Sequence, residues 1–168
     1  MDRFVSTFTN KLDAKGRVSI PAPFREVLAR DGYSGAGASG PAGSGIYCYP
    51  ALDTPALDAG GESLASKIDA LLTGLSDYSD ERDQLSVALY GDVHILKIDG
   101  DGRIVLPEDL KRHAKLEGEV TFVGLGQKFQ IWQPAAFDAY RAEARGRARD
   151  HRQLFAGRRP GGDEPSGG

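Results

Sequence analysis

Two ten-residue segments of this 168-residue chain match one another, and the match restricts the fold more than any other feature of the sequence. Leu12-Asp13-Ala14-Lys15-Gly16-Arg17-Val18-Ser19-Ile20-Pro21 aligns with Ile98-Asp99-Gly100-Asp101-Gly102-Arg103-Ile104-Val105-Leu106-Pro107, at an offset of 86 positions from Asp13 to Asp99. Aspartate, glycine, arginine and proline recur in register. The apolar positions agree as well: Leu12 with Ile98, Val18 with Ile104, Ile20 with Leu106, Phe24 with Leu110; even Arg25 meets Lys111. A second block, Ile46-Tyr47-Cys48-Tyr49-Pro50, aligns with Gln130-Ile131-Trp132-Gln133-Pro134 at an offset of 84. Two blocks in the same order indicate one small unit used twice.

Each copy has the same local chemistry. Val5–Leu12 and Asp92–Ile98 have the composition of short strands, with Val93, Ile95, Leu96 and Ile98 apolar in the second. The Asp-x-x-Gly-Arg segment between strands is a tight turn: the aspartate accepts hydrogen bonds from amides ahead of it, and the glycine supplies positive φ. Val18–Ile20 and Ile104–Leu106 complete hairpins. Pro21 and Pro107 then stand at the first position of a helix. Phe24, Val27 and Leu28 share one face of the first helix, Leu110 and Ala114 of the second. Glu108 and Asp109 suit the positive end of the second helix dipole. A last strand follows, Gly45–Tyr49 in copy one and Gly118–Val123 continuing to Phe129–Trp132 in copy two.

These signals divide the chain into a first unit over 5–53, a helical connector over 54–90, a second unit over 91–138, a C-terminal helix over 139–156 and a disordered tail over 157–168. The connector carries the stripe Leu64, Ile68, Leu71, Leu72 and Leu75, and Asp80–Leu89 reads as another helix. Ala135–Arg152 reads as an Ala- and Arg-rich helix with Phe137 and Tyr140 inward. Ser34–Gly45, almost wholly Gly, Ala and Ser, reads as a flexible loop. A strand–turn–strand–helix–strand unit cannot bury a useful core alone. Two copies paired across a pseudo-twofold axis can share one barrel-like core, which gives the duplication a physical reason.

The bulk numbers narrow the setting. Cys48 is the single cysteine, which excludes an intrachain disulfide and suits a reducing compartment. No apolar run approaches the roughly 20 residues that span a bilayer, and the N-terminus carries no signal-peptide core. These features point to the cytoplasm and away from a membrane. The net charge is −3 and the pI about 5.6, so any affinity for a polyanion depends on how charge is distributed. Residues 1–30 are basic through Arg3, Lys11, Lys15, Arg17, Arg25 and Arg30; residues 53–83 are acidic; residues 138–159 are again arginine-rich.

The paired Asp-x-x-Gly-Arg turns, each followed by two residues, an apolar residue and proline, resemble the SpoVT–AbrB swapped-hairpin fold. Two such copies in one chain, each with an aromatic-bearing strand that ends at a proline (Tyr49-Pro50 and Trp132-Gln133-Pro134), are similar to the MraZ family over roughly residues 3–150. The resemblance implies an α+β, β-rich architecture: two tandem AbrB-like units forming a pseudo-twofold, double-psi-like β-barrel with flanking helices. It further implies a cytoplasmic, nucleoid-associated repressor of the bacterial division and cell-wall gene cluster. Its partners would be double-stranded DNA at repeated promoter elements and further copies of itself in a ring. The motif positions carried over are Asp13, Lys15, Gly16 and Arg17, then Asp99, Gly102 and Arg103. The second turn departs from the family pattern by placing Asp101 where an uncharged residue is usual.

A turn arginine can neutralise a phosphate or read guanine with its planar fork, while a lysine acts as a point charge. Lys15, Arg17 and Arg103 are therefore candidate DNA contacts, with Arg3, Lys11 and Arg25 as flanking phosphate contacts. The alternative for Arg17 and Arg103 is an ion pair with Asp13 and Asp99 that locks each turn around Gly16 and Gly102. Both roles can coexist. No other chemistry assembles: Gly35-x-Gly37-x-x-Gly40 is followed by Pro41 rather than a helix, Asp99-Gly100-Asp101-Gly102 breaks the calcium-loop pattern at Arg103 and Leu110, and His94, His113 and His151 lack metal-ligand spacing. The sequence thus calls for no cofactor, no metal, no small-molecule substrate and no enzymatic role. The competing reading is an antitoxin-like or scaffold module whose contacts are with protein.

Overall fold

The computed structural model describes residues 3–33 and 45–157, so the Gly/Ala/Ser segment and the tail beyond Gly157 lie outside the described residues. Strands β1 (Thr7–Lys11) and β2 (Arg17–Ser19) precede helix α1 (Ala22–Asp31). Strands β3 (Gly45–Pro50) and β4 (Leu57–Gly60) precede α2 (Glu62–Thr73) and α3 (Asp80–Ser86), and α3 runs into a π-helical turn at Val87–Gly91. The second half follows as β5 (His94–Lys97), β6 (Arg103–Val105), α4 (Glu108–Ala114), β7 (Glu119–Gly124), β8 (Phe129–Trp132) and α5 (Pro134–Gly157). The chain divides into two compact units, one up to Pro134 and one from Ala135 onward. It is a mixed, sheet-rich α+β structure.

The first unit holds a six-stranded antiparallel sheet in the order β1-β7-β8-β4-β3-β5 and a small antiparallel ladder, β2-β6. The order reads alike from either end when β1 corresponds to β5, β7 to β3 and β8 to β4. The registers obey the same rule: Thr9 faces Thr121 as Ile95 faces Tyr47, and Phe122 faces Ile131 as Cys48 faces Ala59. At the centre Asp58 faces Gln130, and in the small ladder Val18 faces Ile104, each residue opposite its own counterpart. A local two-fold axis therefore passes through both pairs. The pairing leaves β1 and β5 as sheet edges, from which the hairpins lead into the β2-β6 ladder, with a bridge between Leu12 and Val18. No pairing among the described residues closes the sheet into the expected barrel.

This register corrects the second sequence alignment. The counterpart of Ile46–Tyr49 is Val120–Val123, and that of Gln130–Trp132 is Asp58–Gly60. The offset of 84 matched β3 with β8 because both are buried strands ending near a proline. Strand β4 falls within the segment read as a helical connector; four residues that include an aspartate and a glycine carry no strand signal of their own. The first strand begins two residues later than expected, because Ser6 has φ 78° and Phe4 bridges Gly126. Pro21 and Pro107 occupy the N-cap instead of the first helical position, and the Pro21 carbonyl accepts from the amides of Phe24 and Arg25.

Alternation in β3 separates two apolar clusters. Ile46 and Cys48 join a core built around Phe4, Phe24, Phe122 and Phe129, with Phe24 and Phe129 ring centroids 5.1 Å apart. Tyr47 and Tyr49 join Leu64, Ile68, Leu72 and Leu89. Leu71 does not take part and is 60% exposed, because the inward face of α2 is filled by its neighbour Leu72. In α5, the Arg141 guanidinium stacks on the Phe137 ring one helical turn away, 4.8 Å from its centroid.

The axis carries a buried polar cluster. Gln130 Nε2 donates to Asp58 Oδ1 at 2.8 Å, Lys128 Nζ donates to Asp58 Oδ2 at 3.1 Å, and Trp132 Nε1 donates to Gln130 Oε1 at 2.9 Å. Burial and the nearby Asp58 push the Tyr49 hydroxyl above its ordinary range. Removing the carboxylate strands the buried Gln130 amide, while the half-buried Lys128 ammonium loses its counter-ion. Asp58→Ala is expected to lower unfolding free energy by about 2–4 kcal/mol in urea titrations, and Asp58→Asn by less; an Asp58→Ala chain as stable as the parent would contradict this role.

Candidate nucleic-acid interface

Both Asp-x-x-Gly-Arg turns are closed by the aspartate. In turn one, Asp13 Oδ1 accepts from the amides of Lys15 (2.9 Å) and Arg17 (2.8 Å), and Oδ2 accepts from Arg17 Nε at 2.7 Å. In turn two, Asp99 Oδ1 accepts from the amides of Asp101 (2.9 Å) and Arg103 (3.0 Å). Gly16 and Gly102 sit at φ 81° and 77°, a backbone region where L side chains are strained. The ion-pair role foreseen for the turn arginines is present in both copies.

The two turns are also tied to each other. Gly16 O accepts from the Leu106 amide at 2.8 Å, and Gly102 O accepts from the Ile20 amide at 2.9 Å. Helix cations cross over in the same way. A Cβ on Gly16 would lie 3.4 Å from Lys111 Nζ, and one on Gly102 would run into Arg25 Nη1, so each helix lays its cation on the turn of the other copy. Turn one thus gathers Lys15, Arg17 and Lys111, while turn two gathers Arg103 and Arg25. Lys111 was not among the expected contacts, although its alignment with Arg25 was the available signal.

Lys11 is exposed at the end of β1, opposite Glu119 and next to turn one. Arg3 is exposed at the far end of that strand, beside Gly126, and the structure does not bring it to either turn. The two arginine forks differ. Arg17 commits its Nε to Asp13, and neither Nη has a hydrogen-bond partner among the described residues. Arg103 is held on two carboxylates: its Nε lies 3.4 Å from Asp99 Oδ2, too poorly placed for a hydrogen bond, and its Nη2 donates to Asp101 Oδ2 at 3.2 Å. Among the described residues no group of three or more His, Cys, Asp or Glu side chains is placed to hold a metal, and no helix is long and apolar enough to cross a membrane.

The turn amides set the acid–base behaviour. The Arg17 amide, and then its guanidinium, hold the Asp13 carboxyl below its ordinary value of 3.8; the Arg103 amide is the largest such influence on Asp99. A depressed folded-state pKa stabilises above the unfolded value and loses that contribution as pH falls through the folded value. NMR titration of Asp-labelled protein is therefore expected to place the midpoints of Asp13 and Asp99 below 3.8, with the turns unlocking only in acid below that point. A midpoint at or above 3.8 for either residue would contradict the lock.

The family model described as "MraZ protein, putative antitoxin-like" matches residues 89–155. Curated proteins carrying the name transcriptional regulator MraZ match nearly the whole chain. The one from Methylocella silvestris is 54% identical over 165 residues, covering 98% of this chain and 94% of the relative. The one from Xanthobacter autotrophicus is 52% identical over 158 residues, covering 94% of each. The one from Rickettsia bellii is 38% identical over 153 residues, covering 90% of this chain and 95% of the relative. With identity at this level over nearly the full length of both partners, the chain belongs to the MraZ family.

Proposed function

We propose that the chain is a sequence-specific, DNA-binding transcriptional regulator that represses the division and cell-wall gene cluster from repeated promoter elements. The observation that carries this reading is turn one: a preorganised arginine fork with Lys15 and Lys111 beside it, on a protein whose net charge is negative. Asp13 fixes the plane of the Arg17 guanidinium, so little side-chain freedom is lost when its Nη nitrogens meet a phosphate or a base edge. Lys11 extends the positive surface as a phosphate contact, with Arg25, Arg103 and Arg3 in weaker positions. The shared name of the relatives supports the regulator role.

In this reading the exchanged hairpins form an AbrB-like, double-psi-like unit from segments 5–53 and 91–138, and copies assemble as a ring. Modest affinity per subunit then becomes avidity when operator repeats match the ring spacing. The protein works in the cytoplasm on the nucleoid. The antitoxin-like description of the family model favours one alternative, a protein-binding module of the same fold.

Titration against DNA from the chain's own upstream region, over a range of salt, separates the two. Log affinity is expected to fall with log salt by about 0.9 for each phosphate neutralised. Arg17→Ala should reduce affinity roughly tenfold and flatten the slope by about 1 while leaving the oligomer intact. No preference over random DNA at low salt would favour the protein-binding module, and loss of the oligomer in Arg17→Ala would make Arg17 a structural residue only.

A further inference from the structure

We infer that Asp101 holds the second turn off DNA, so that each subunit engages the phosphate backbone through turn one. The inference rests on the DNA reading above and assigns unequal parts to two sites that the fold makes equivalent. Asp101 occupies the position of Lys15 in the other copy. Its carboxylate sits on the Arg103 fork, Nη2 to Oδ2 at 3.2 Å, whereas neither Nη of the equivalent Arg17 meets a hydrogen-bond partner among the described residues.

Charge follows the same line. In turn one, Lys15 and Arg17 stand against Asp13 and leave one positive charge; the crossing Lys111 is neutralised by Glu108, 2.7 Å away. In turn two, Arg103 stands against Asp99 and Asp101 and leaves one negative charge, which the crossing Arg25 only cancels. A phosphate approaching Arg103 meets a carboxylate already in place as its competitor. That carboxylate is free to be replaced without harm to the turn. Its side chain is 79% exposed, and the hydrogen bond that position 101 gives to Asp99 comes from the backbone amide.

The test uses the full-length protein and the upstream DNA fragment, read by fluorescence anisotropy from 0.05 to about 0.3 M salt, the range over which phosphate contacts are resolved. Asp101→Asn brings turn two to the charge of turn one, and Asp101→Lys goes beyond it. Both are expected to tighten binding, Asp101→Lys roughly tenfold near 0.1 M salt, with the salt slope steeper by about 0.9. Arg103→Ala should change the parent's affinity less than about twofold, yet abolish the gain of Asp101→Asn, because the released fork is what makes the new phosphate contact. Unchanged affinity and slope in both Asp101 variants, with the parent binding normally, would overturn the inference alone. So would an Arg103→Ala loss as large as that of Arg17→Ala. Failure of every form to bind, the parent included, would overturn the DNA reading and this inference with it.

Discussion

The structure depends on an exchange of backbone between two turns. Gly16 O takes the Leu106 amide and Gly102 O takes the Ile20 amide, on either side of the Val18–Ile104 pair. Each three-residue strand is too short to stand alone, and an isolated hairpin is marginal in water. Crossing the hairpins gives each strand a partner from the other copy and fixes where both helices begin, since Pro21 and Pro107 follow directly. The helices then cover the opposite turn with Arg25 and Lys111. The same axis reappears in the large sheet, where Asp58 meets Gln130 and Lys128 in a buried cluster. Apolar residues would pack there as well. A polar pair that must find its own counterpart also fixes the register of the central strands.

From that exchange the proposed DNA-facing surface follows. A turn locked by its own aspartate presents arginine in one orientation, so the fork is shaped before any ligand arrives. Symmetry of the backbone then makes differences of side chain decisive. Lys15 and Asp101 occupy equivalent positions on equivalent turns, and the change from a cation to an anion reverses the charge beside the arginine.

Much of this was legible in the sequence because the decisive contacts are local. Asp13 bonds to amides two and four residues ahead, so the motif itself encodes the turn and its arginine pair. What could not be read was tertiary. Leu57–Gly60 becomes a strand because β3 and β8 lie on either side of it, not through its own propensity. Leu71 and Leu72 satisfy the helical stripe about equally, and only packing decides that Leu72 turns inward. The strand ends before Pro50 and Pro134 look equivalent since buried strands before a proline share composition, whereas the register assigns them different places in the sheet. Lys111 carries no local signature of a contact, because it lies 95 positions beyond the Gly16 turn it covers.

The most direct measurement is a crystal structure of the protein bound to its own upstream DNA. It should show phosphate or base-edge atoms within hydrogen-bond distance of the Arg17 Nη nitrogens and Lys15, with Arg103 still resting on Asp101. DNA seated on other surfaces of the molecule, with turn one facing solvent, would contradict the central claim.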